Sequence, residues 1–338
     1  MDEGAFEGAA RAEAVRYLPP LMALSLGFLM DPLESVRVDH DTTFSLMLEA
    51  QRRGHDVYYF EQGWLRFNGR CSEARMRRVR VRREVGQHFD VLAEDVRPLS
   101  KLDVLFLRKD PPVDADYLHA TQLVELCPDR SPIFINNPSG IRDANEKLFT
   151  LNYPDLMPDT RVTRELSVVL EFAAKNAQGT ILKPIDGFGG KGILFLAPGD
   201  RNARSMVELL TQGGKEPILA QAYVPESRLG DKRIILVDGD PVGAVLRVPS
   251  DADHRGNMAA GGKPMKAEIT ARDLHICQRL KPALQEKGLT LVGIDVLGDY
   301  LTEVNVTSPT GLVEASHLDG VSCEARVLDV AERMHGAR

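Results

Sequence analysis

The stretch Thr180-Ile-Leu-Lys-Pro-Ile-Asp-Gly-Phe-Gly-Gly-Lys-Gly-Ile-Leu-Phe-Leu196 decides the fold of the second half of the chain. Two apolar runs, 180–184 and 193–196, flank a glycine-rich segment. Gly187, Gly189 and Gly192 satisfy the spacing G-x-G-x-x-G, but a dinucleotide-binding turn needs a helix to open after the glycines. A second strand-like run follows instead, so the segment reads as a hairpin loop. No G-x-x-x-x-G-K-[S/T] occurs in the sequence, which excludes a P-loop. Glycines at such a tip let backbone N–H groups approach a triphosphate closely. A flexible hairpin without a ligand fits these residues equally well. Lys183 lies in the apolar run, where an unpaired ammonium would be costly to bury; phosphate partners would explain it.

Toward the C-terminus, Val292-Gly-Ile-Asp-Val-Leu-Gly-Asp-Tyr-Leu-Thr-Glu-Val-Asn305 reads as a second hairpin. Its turn is Gly298-Asp299, which sets Asp295 opposite Glu303. Glu303 and Asn305 are two apart and share a face. Three oxygen donors converge there, the donor set that Mg²⁺ takes alongside substrate phosphates. A polar outer face is the alternative. Against it, both strands are otherwise apolar, and buried carboxylates without a partner are expensive. Between the two hairpins, the strand candidates are Ile218–Tyr223, Arg233–Val237 and Pro241–Val248. Helices are expected over Ser167–Asn176, Arg272–Gln285 and Val327–Met334. This half is mixed α+β with antiparallel hairpins.

Toward the N-terminus the texture changes. Ala23–Met30, Val57–Phe60, Leu102–Leu107 and Ile133–Ile135 read as short buried strands, alternating with helices over Thr43–Arg53 and Tyr117–Leu126. That alternation predicts an open, mostly parallel α/β sheet, with ligands outside the carboxyl ends of its strands, where Asp31 and Arg108 lie. Residues 1–21 read as a disordered leader, or as sequence upstream of a start at Met22, because Asp2, Glu3 and Glu7 stand where a signal peptide needs cations.

Composition sets the outer bounds. Lys and Arg number 42 against 49 Asp and Glu, a net charge of −7, which lacks the basic footprint of a nucleic-acid binder. Seven arginines between Arg70 and Arg83 form one local exception. Their alternation with Val79 and Val81 reads as a solvated edge strand, and no interleaved aromatics offer a stacking platform. Four cysteines stand far apart in the sequence with no CxxC or CxxH pair, which argues against a zinc knuckle or disulfide framework and fits a reducing, cytoplasmic setting. No stretch reads as a membrane span.

Together the segments Phe-Leu-Met-Asp-Pro (28–32), Leu-Arg-Lys-Asp-Pro-Pro (107–112), Arg-Asp-Ala-Asn-Glu-Lys-Leu-Phe (142–149), Leu-Lys-Pro-Ile-Asp-Gly-Phe-Gly-Gly (182–190), Gly-Asp-Lys-Arg (230–233), Arg-Gly-Asn-Met-Ala-Ala-Gly-Gly (255–262) and Thr-Glu-Val-Asn-Val-Thr-Ser-Pro-Thr (302–310) resemble the ATP-grasp superfamily, and within it the bacterial-type glutathione synthetases. The resemblance implies an N-terminal domain over 22–142, a central lid over 143–222 and a C-terminal catalytic part over 223–338. It implies ATP bound by Lys147, Lys183, Gly187, Phe188, Gly189, Gly190, Gln221, Tyr223, Val224 and Asp231. It further implies Mg²⁺, or Mn²⁺ in its place, as a pair of ions held by Asp295, Glu303 and Asn305, with Arg233 and Arg255 stabilising an acyl phosphate. Substrate contacts fall to Asp31, Arg108, Arg247, Asn257, Asn305 and Ser308. The implied substrates are γ-glutamylcysteine and glycine, and the implied assembly is a homotetramer. Two other functions remain compatible: an ATP-grasp ligase for a different carboxylate and amine, and an ATP-binding regulator without catalysis. Lys147, taken by itself, also fits an ordinary surface lysine at the start of a helix.

Overall fold

The computed structural model describes residues 23–128, 131–249 and 262–338; the expected leader, Arg255 and Asn257 lie outside them. The first sheet is built from β1 (Ser25–Met30), β2 (Asp56–Phe60), β3 (Leu65–Phe67), β4 (Ser72–Val81), β5 (Phe89–Pro98), β6 (Val104–Arg108) and β7 (Ile133–Ile135). The strands β2-β1-β6-β7 run parallel, with α1 (Thr42–Arg52) and α2 (Ala115–Leu123) between them in sequence. Asp41 starts α1 by accepting a hydrogen bond from the Phe44 N–H at 2.7 Å, a cap worth about 1 kcal/mol. The strands β3, β4 and β5 extend this parallel core in antiparallel fashion.

The arginine-rich segment corrects its expected place. It forms β4, which pairs with β2 and β3 along one side and with β5 along the other, so it is interior rather than an edge. Its arginines stay solvated by pairing with acids on neighbouring strands: Arg77 with Glu94 at 2.7 Å and Arg78 with Asp56 at 2.5 Å. Trp64 also lies under Arg75 and Arg77, with guanidinium-to-ring distances of 4.3 and 4.8 Å.

After α3 (Pro138–Asp143) the chain enters a four-stranded antiparallel sheet, β10-β9-β11-β8: β8 (Thr160–Thr163), β9 (Thr180–Pro184), β10 (Leu194–Leu196) and β11 (Ile218–Ala222). The helices α4 (Leu166–Lys175) and α5 (Ala203–Leu210) accompany it. Its core is private, formed by Val169, Phe172, Leu182, Leu196, Val207, Ile218 and Ala220. A third sheet, β14-β13-β12-β15-β16, is antiparallel throughout: β12 (Asp231–Val237), β13 (Asp240–Val248), β14 (Lys263–Lys266), β15 (Leu291–Leu297) and β16 (Tyr300–Asn305). The helix α6 (Ala271–Glu286) opens with a reciprocal Thr270–Asp273 capping box; α7 (Leu312–Asp319) and α8 (Cys323–Gly336) close the chain.

The first and third sheets share their cores. Tyr58, Leu107 and Val124 belong to the same buried cluster as Ile234, Leu236 and Val292. Buried Asn136 fastens the junction: its amide nitrogen donates to the carbonyls of Leu291 (2.7 Å) and Val306 (2.6 Å), and its amide oxygen accepts from the Leu291 N–H (2.7 Å). Among the described residues, no helix is long and apolar enough to cross a membrane.

Candidate active site

The two hairpins quoted first in the sequence converge. β9 and β10 pair with Leu182 opposite Leu194, leaving 185–193 as the glycine-rich loop. Gly189, Gly190 and Gly192 all adopt positive φ (61°, 74° and 75°), a conformation that side chains with a Cβ adopt at a cost. β15 and β16 pair with Asp295 opposite Glu303 and Gly293 opposite Asn305, the register read from the Gly298-Asp299 turn.

Antiparallel pairing then builds a row across the third sheet. Arg233 on β12 faces Asp295 on β15, which faces Glu303 on β16; beside the row, Arg247 on β13 faces Asp231 on β12. Both oxygens of buried Asp295 are engaged. Arg233 grips them with Nε and with Nη2 at 2.9 Å, and Arg247 Nη2 lies 3.0 Å from Oδ2. Burial alone would raise the Asp295 carboxyl, but the two guanidinium groups outweigh it and hold the group well below the usual carboxylate range. Arg247 also grips Asp231, through Nη2 and through Nε at 3.2 Å. Burial disfavours the charge on Arg247, but Asp295 and Asp231 more than offset it. The premise for a cation at Asp295, a buried carboxylate without a partner, therefore does not hold: two arginines are its partners.

Glu303 and Asn305 are differently placed. Both keep partial exposure. The Asn305 amide nitrogen donates to the Gly293 carbonyl at 3.1 Å and lies 3.4 Å from Asp295 Oδ2, so its amide oxygen is the acceptor it has left to offer. A carboxylate and an amide oxygen of this kind suit a hard cation. Among the described residues, no three acidic, histidine or cysteine side chains lie close enough to hold a metal by themselves.

The lysines face this row. Lys183 is buried on β9; burial pushes its ammonium down, Glu303 partly restores it and Lys147 lowers it further. Lys147 is also buried, and it does not begin an α-helix as the sequence suggested but precedes a 3₁₀ turn, Leu148–Asn152. Its ammonium donates to the carbonyl of Ile185 at 3.2 Å and to that of Gly187, tying the start of the glycine-rich loop. Lys191 lies 5.0 Å from the Phe188 ring within that loop. At the far end of the four-stranded sheet, the Tyr223 N–H donates to the Gly179 carbonyl at 3.1 Å, and Gln221 donates to Thr160 Oγ1 at 3.0 Å. Val224 is buried beside them.

The sequence reading missed Glu146. Burial, then the nearby Glu303 charge, pushes this carboxyl up to about 7. Its position next to Lys147 was the available signal. The unfolded carboxyl titrates near 4.5, so the folded chain binds this proton more tightly between the two values. The stability contributed by the proton is present at low pH and lost as pH rises from about 4.5 through 7. The ligand-free protein should show a Tm that declines between pH 5 and 7.5, and Glu146→Gln should flatten that decline. An unchanged slope in the variant would remove Glu146 as its source.

Asp31, Arg108 and Ser308 form a second group at the carboxyl ends of β1 and β6. Arg108 donates from Nη2 to the Pro309 carbonyl at 2.9 Å, and Ser308 Oγ lies 3.4 Å from the Arg108 carbonyl. Asp31 accepts from the Asp110 N–H at 2.8 Å and pairs with Lys109 at 2.8 Å. The two groups meet at Thr310, whose carbonyl accepts from Arg233 Nη1 at 3.1 Å.

A glycine-rich hairpin over paired lysines, opposed by a carboxylate-bearing antiparallel sheet, defines an ATP-grasp ligase. Solved structures agree at the level of the fold: a D-cycloserine synthetase superposes with a TM-score of 0.63 at 15% identity, covering 91% of this chain and 99% of its own. An ATP-grasp ligase complexed with a precursor peptide and AMPPNP gives 0.59 at 15% identity, covering 92% and 98%. The chain belongs to the prokaryotic glutathione synthetases, whose N-terminal domain model matches residues 24–142 and whose ATP-grasp domain model matches residues 146–320. It is 44% identical to the glutathione synthetase of Brucella melitensis over 312 residues, 92% of this chain and 99% of the relative. It is 45% identical to that of Synechocystis over 314 residues, 90% and 98%.

Proposed function

We propose that this protein joins γ-glutamylcysteine to glycine at the expense of ATP, giving glutathione, ADP and phosphate. The observation that carries the reading is the Arg233–Asp295–Glu303 row facing Lys147 and Lys183, in a chain that matches both domains of the family.

The cysteinyl carboxylate is a poor electrophile at neutral pH. One of its oxygens attacks the γ-phosphorus of ATP, the bond to the β-phosphate oxygen breaks, and ADP leaves. The glycine amine then attacks the acyl carbon, phosphate departs with the oxygen that carried it, and the amine loses a proton. Lys147 and Lys183 hold the triphosphate under the glycine-rich loop 187–190. Gln221, Tyr223 and Val224 receive the adenine and Asp231 the ribose. Arg233, fixed by Asp295, faces the charge that develops on the acyl phosphate, and Arg255 is the second cation assigned to it; preorganised cations act strongly in a site shielded from water. Mg²⁺ or Mn²⁺ bound at Glu303 and Asn305, with Asp295 behind them, would neutralise the transferring phosphoryl group. In this reading residues 22–142 form the substrate domain, 143–222 the lid and 223–338 the catalytic part of a cytoplasmic homotetramer.

The test is ADP release by the purified protein with ATP and Mg²⁺. Amine and carboxylate pairs are compared, among them γ-glutamylcysteine with glycine, each alone, and D-alanine. Release only with γ-glutamylcysteine and glycine, with glutathione detected by mass, is expected. Turnover only with another pair would keep the nucleotide site and overturn the substrates. Tight Mg-ATP binding without any turnover would favour a regulator.

A further inference from the structure

Cys71 and Cys127 stand 56 residues apart in the sequence, yet the fold brings them to one place. Cys71 ends the turn between β3 and β4, and Cys127 lies in the connection that follows α2. Ser72 joins the two segments: its N–H donates to the Leu126 carbonyl at 2.8 Å and its Oγ to the Leu123 carbonyl at 2.5 Å. The two cysteines therefore flank one hydrogen bond, Cys71 on the donor side and Cys127 on the acceptor side. One peptide unit on each side of that bond holds their Cα atoms at most about 8 Å apart. Any bend along this path brings them toward the roughly 4.4–6.8 Å that a disulfide spans. Their side chains also interact: burial first, and then the neighbouring Cys71, push the Cys127 thiol up to about 11. Both are present as free thiols.

The two differ in access. Cys71 is partly exposed. Its turn is held by Asn68, whose Oδ1 accepts from the N–H groups of Arg70 at 2.9 Å and Cys71 at 3.0 Å, and whose Nδ2 lies 3.7 Å from the Cys71 sulfur. Cys127 is buried, its Sγ donating to the Val124 carbonyl at 3.5 Å. A thiol that solvent can reach, poised beside a second thiol, is the arrangement of an attacking and a resolving cysteine. The remaining two, Cys277 on α6 and Cys323 at the start of α8, are buried in other parts of the fold.

We propose that Cys71 and Cys127 form a redox-active pair that small-molecule disulfides oxidise to a reversible bridge, fastening the end of α2 to the start of β4. Cys71, as the thiolate, attacks one sulfur of the disulfide; that S–S bond breaks and one thiol leaves, taking a proton from solvent. Cys127 then gives up its proton and attacks the Cys71 sulfur of the mixed disulfide, and the second thiol leaves. The pair loses two hydrogens, and one small disulfide becomes two thiols. The bridge closes a loop that contains β4, β5, β6 and α2, so it restricts the unfolded chain and stabilises the folded one.

The experiment incubates the reduced full-length protein, freed of reductant and under native conditions, with oxidised glutathione, and maps its cysteines by mass spectrometry after proteolysis. Only this choice of disulfide rests on the function proposed above. The bond is read without turnover, so an inactive ligase could carry the pair and an active one could lack it. Wild type should lose two hydrogens, yield one linked peptide joining Cys71 to Cys127, and gain several degrees in Tm, all reversed by dithiothreitol. Cys127→Ala should stop at the mixed disulfide on Cys71, and Cys71→Ala should form neither product. Should the buried Cys127→Ala fail to fold, the wild-type peptide map still decides. A mixed disulfide on Cys71 that persists in wild type, a link through Cys277 or Cys323, no reaction at either cysteine, or a bridge that fails to raise Tm would overturn the proposal.

Discussion

Replacing Glu303 by glutamine should lower kcat/KM for ligation by about 10³-fold or more, with Tm close to that of wild type. The side chain stands on β16, half-exposed, opposite Asp295 and within electrostatic reach of Lys183. Glutamine has nearly the same shape and can keep the local packing, so the change removes one negative charge and little else. What is lost is an anchor for the cation that neutralises the transferring phosphoryl and a counter-charge for Lys183. Interactions that strengthen as charge develops in the transition state appear in kcat rather than in KM alone. The fold should be indifferent because Glu303, unlike Asp295, forms no ion pair among the described residues, and surface charge changes are worth little in stability. Ligation within a few-fold of wild type would remove Glu303 from the metal site. A large loss of Tm would show that the effect is structural.

Asp295→Asn should behave in the opposite way, as a stability variant first. The wild-type carboxylate compensates Arg233 and Arg247, both buried. Asparagine leaves two guanidinium groups facing a neutral amide, and Asp231 can serve only Arg247. Breaking a buried ion pair by removing one partner costs about 3–5 kcal/mol, several degrees or more of Tm in a chain of this size. The sign with pH follows from the depressed carboxyl. Its contribution is fully present above the unfolded value near 3.8 and is lost only as pH falls well below it, so wild type and variant should differ by a constant amount from pH 5 to 8. A Tm within about 1 °C of wild type at pH 7 would contradict the view that Asp295 is the anchor of both arginines.

The contrast between these neighbours shows where sequence reading stops. The Asp295–Glu303 pairing was legible because a Gly-Asp turn and period-two alternation fix a short hairpin's register. The partners of Asp295 were not, because Arg233 and Arg247 arrive from strands 62 and 48 residues earlier, and nothing local states which face they meet. The arginine-rich β4 was legible as a strand and misread as an edge for a related reason. Its outer neighbour β5 is exposed along most of its length, so it lacks the apolar alternation that announces a strand. Lys183 stood out as a charge in an apolar run. Glu146 did not, because its burial is created by β16, whose Val304 N–H bonds to the Glu146 carbonyl. The roles of the arginines and the adenine contacts were assigned by the resemblance alone, and its family is the one the chain matches.

Asn136 and the shared cores divide the chain unequally. The four-stranded sheet has its own small interior, whereas the first and third sheets are built on a common core. Heritable change can therefore accumulate in one without unsettling the other. Substitutions in the 31–41 loop and at the strand ends near Arg108 are then expected to leave the four-stranded sheet as it is.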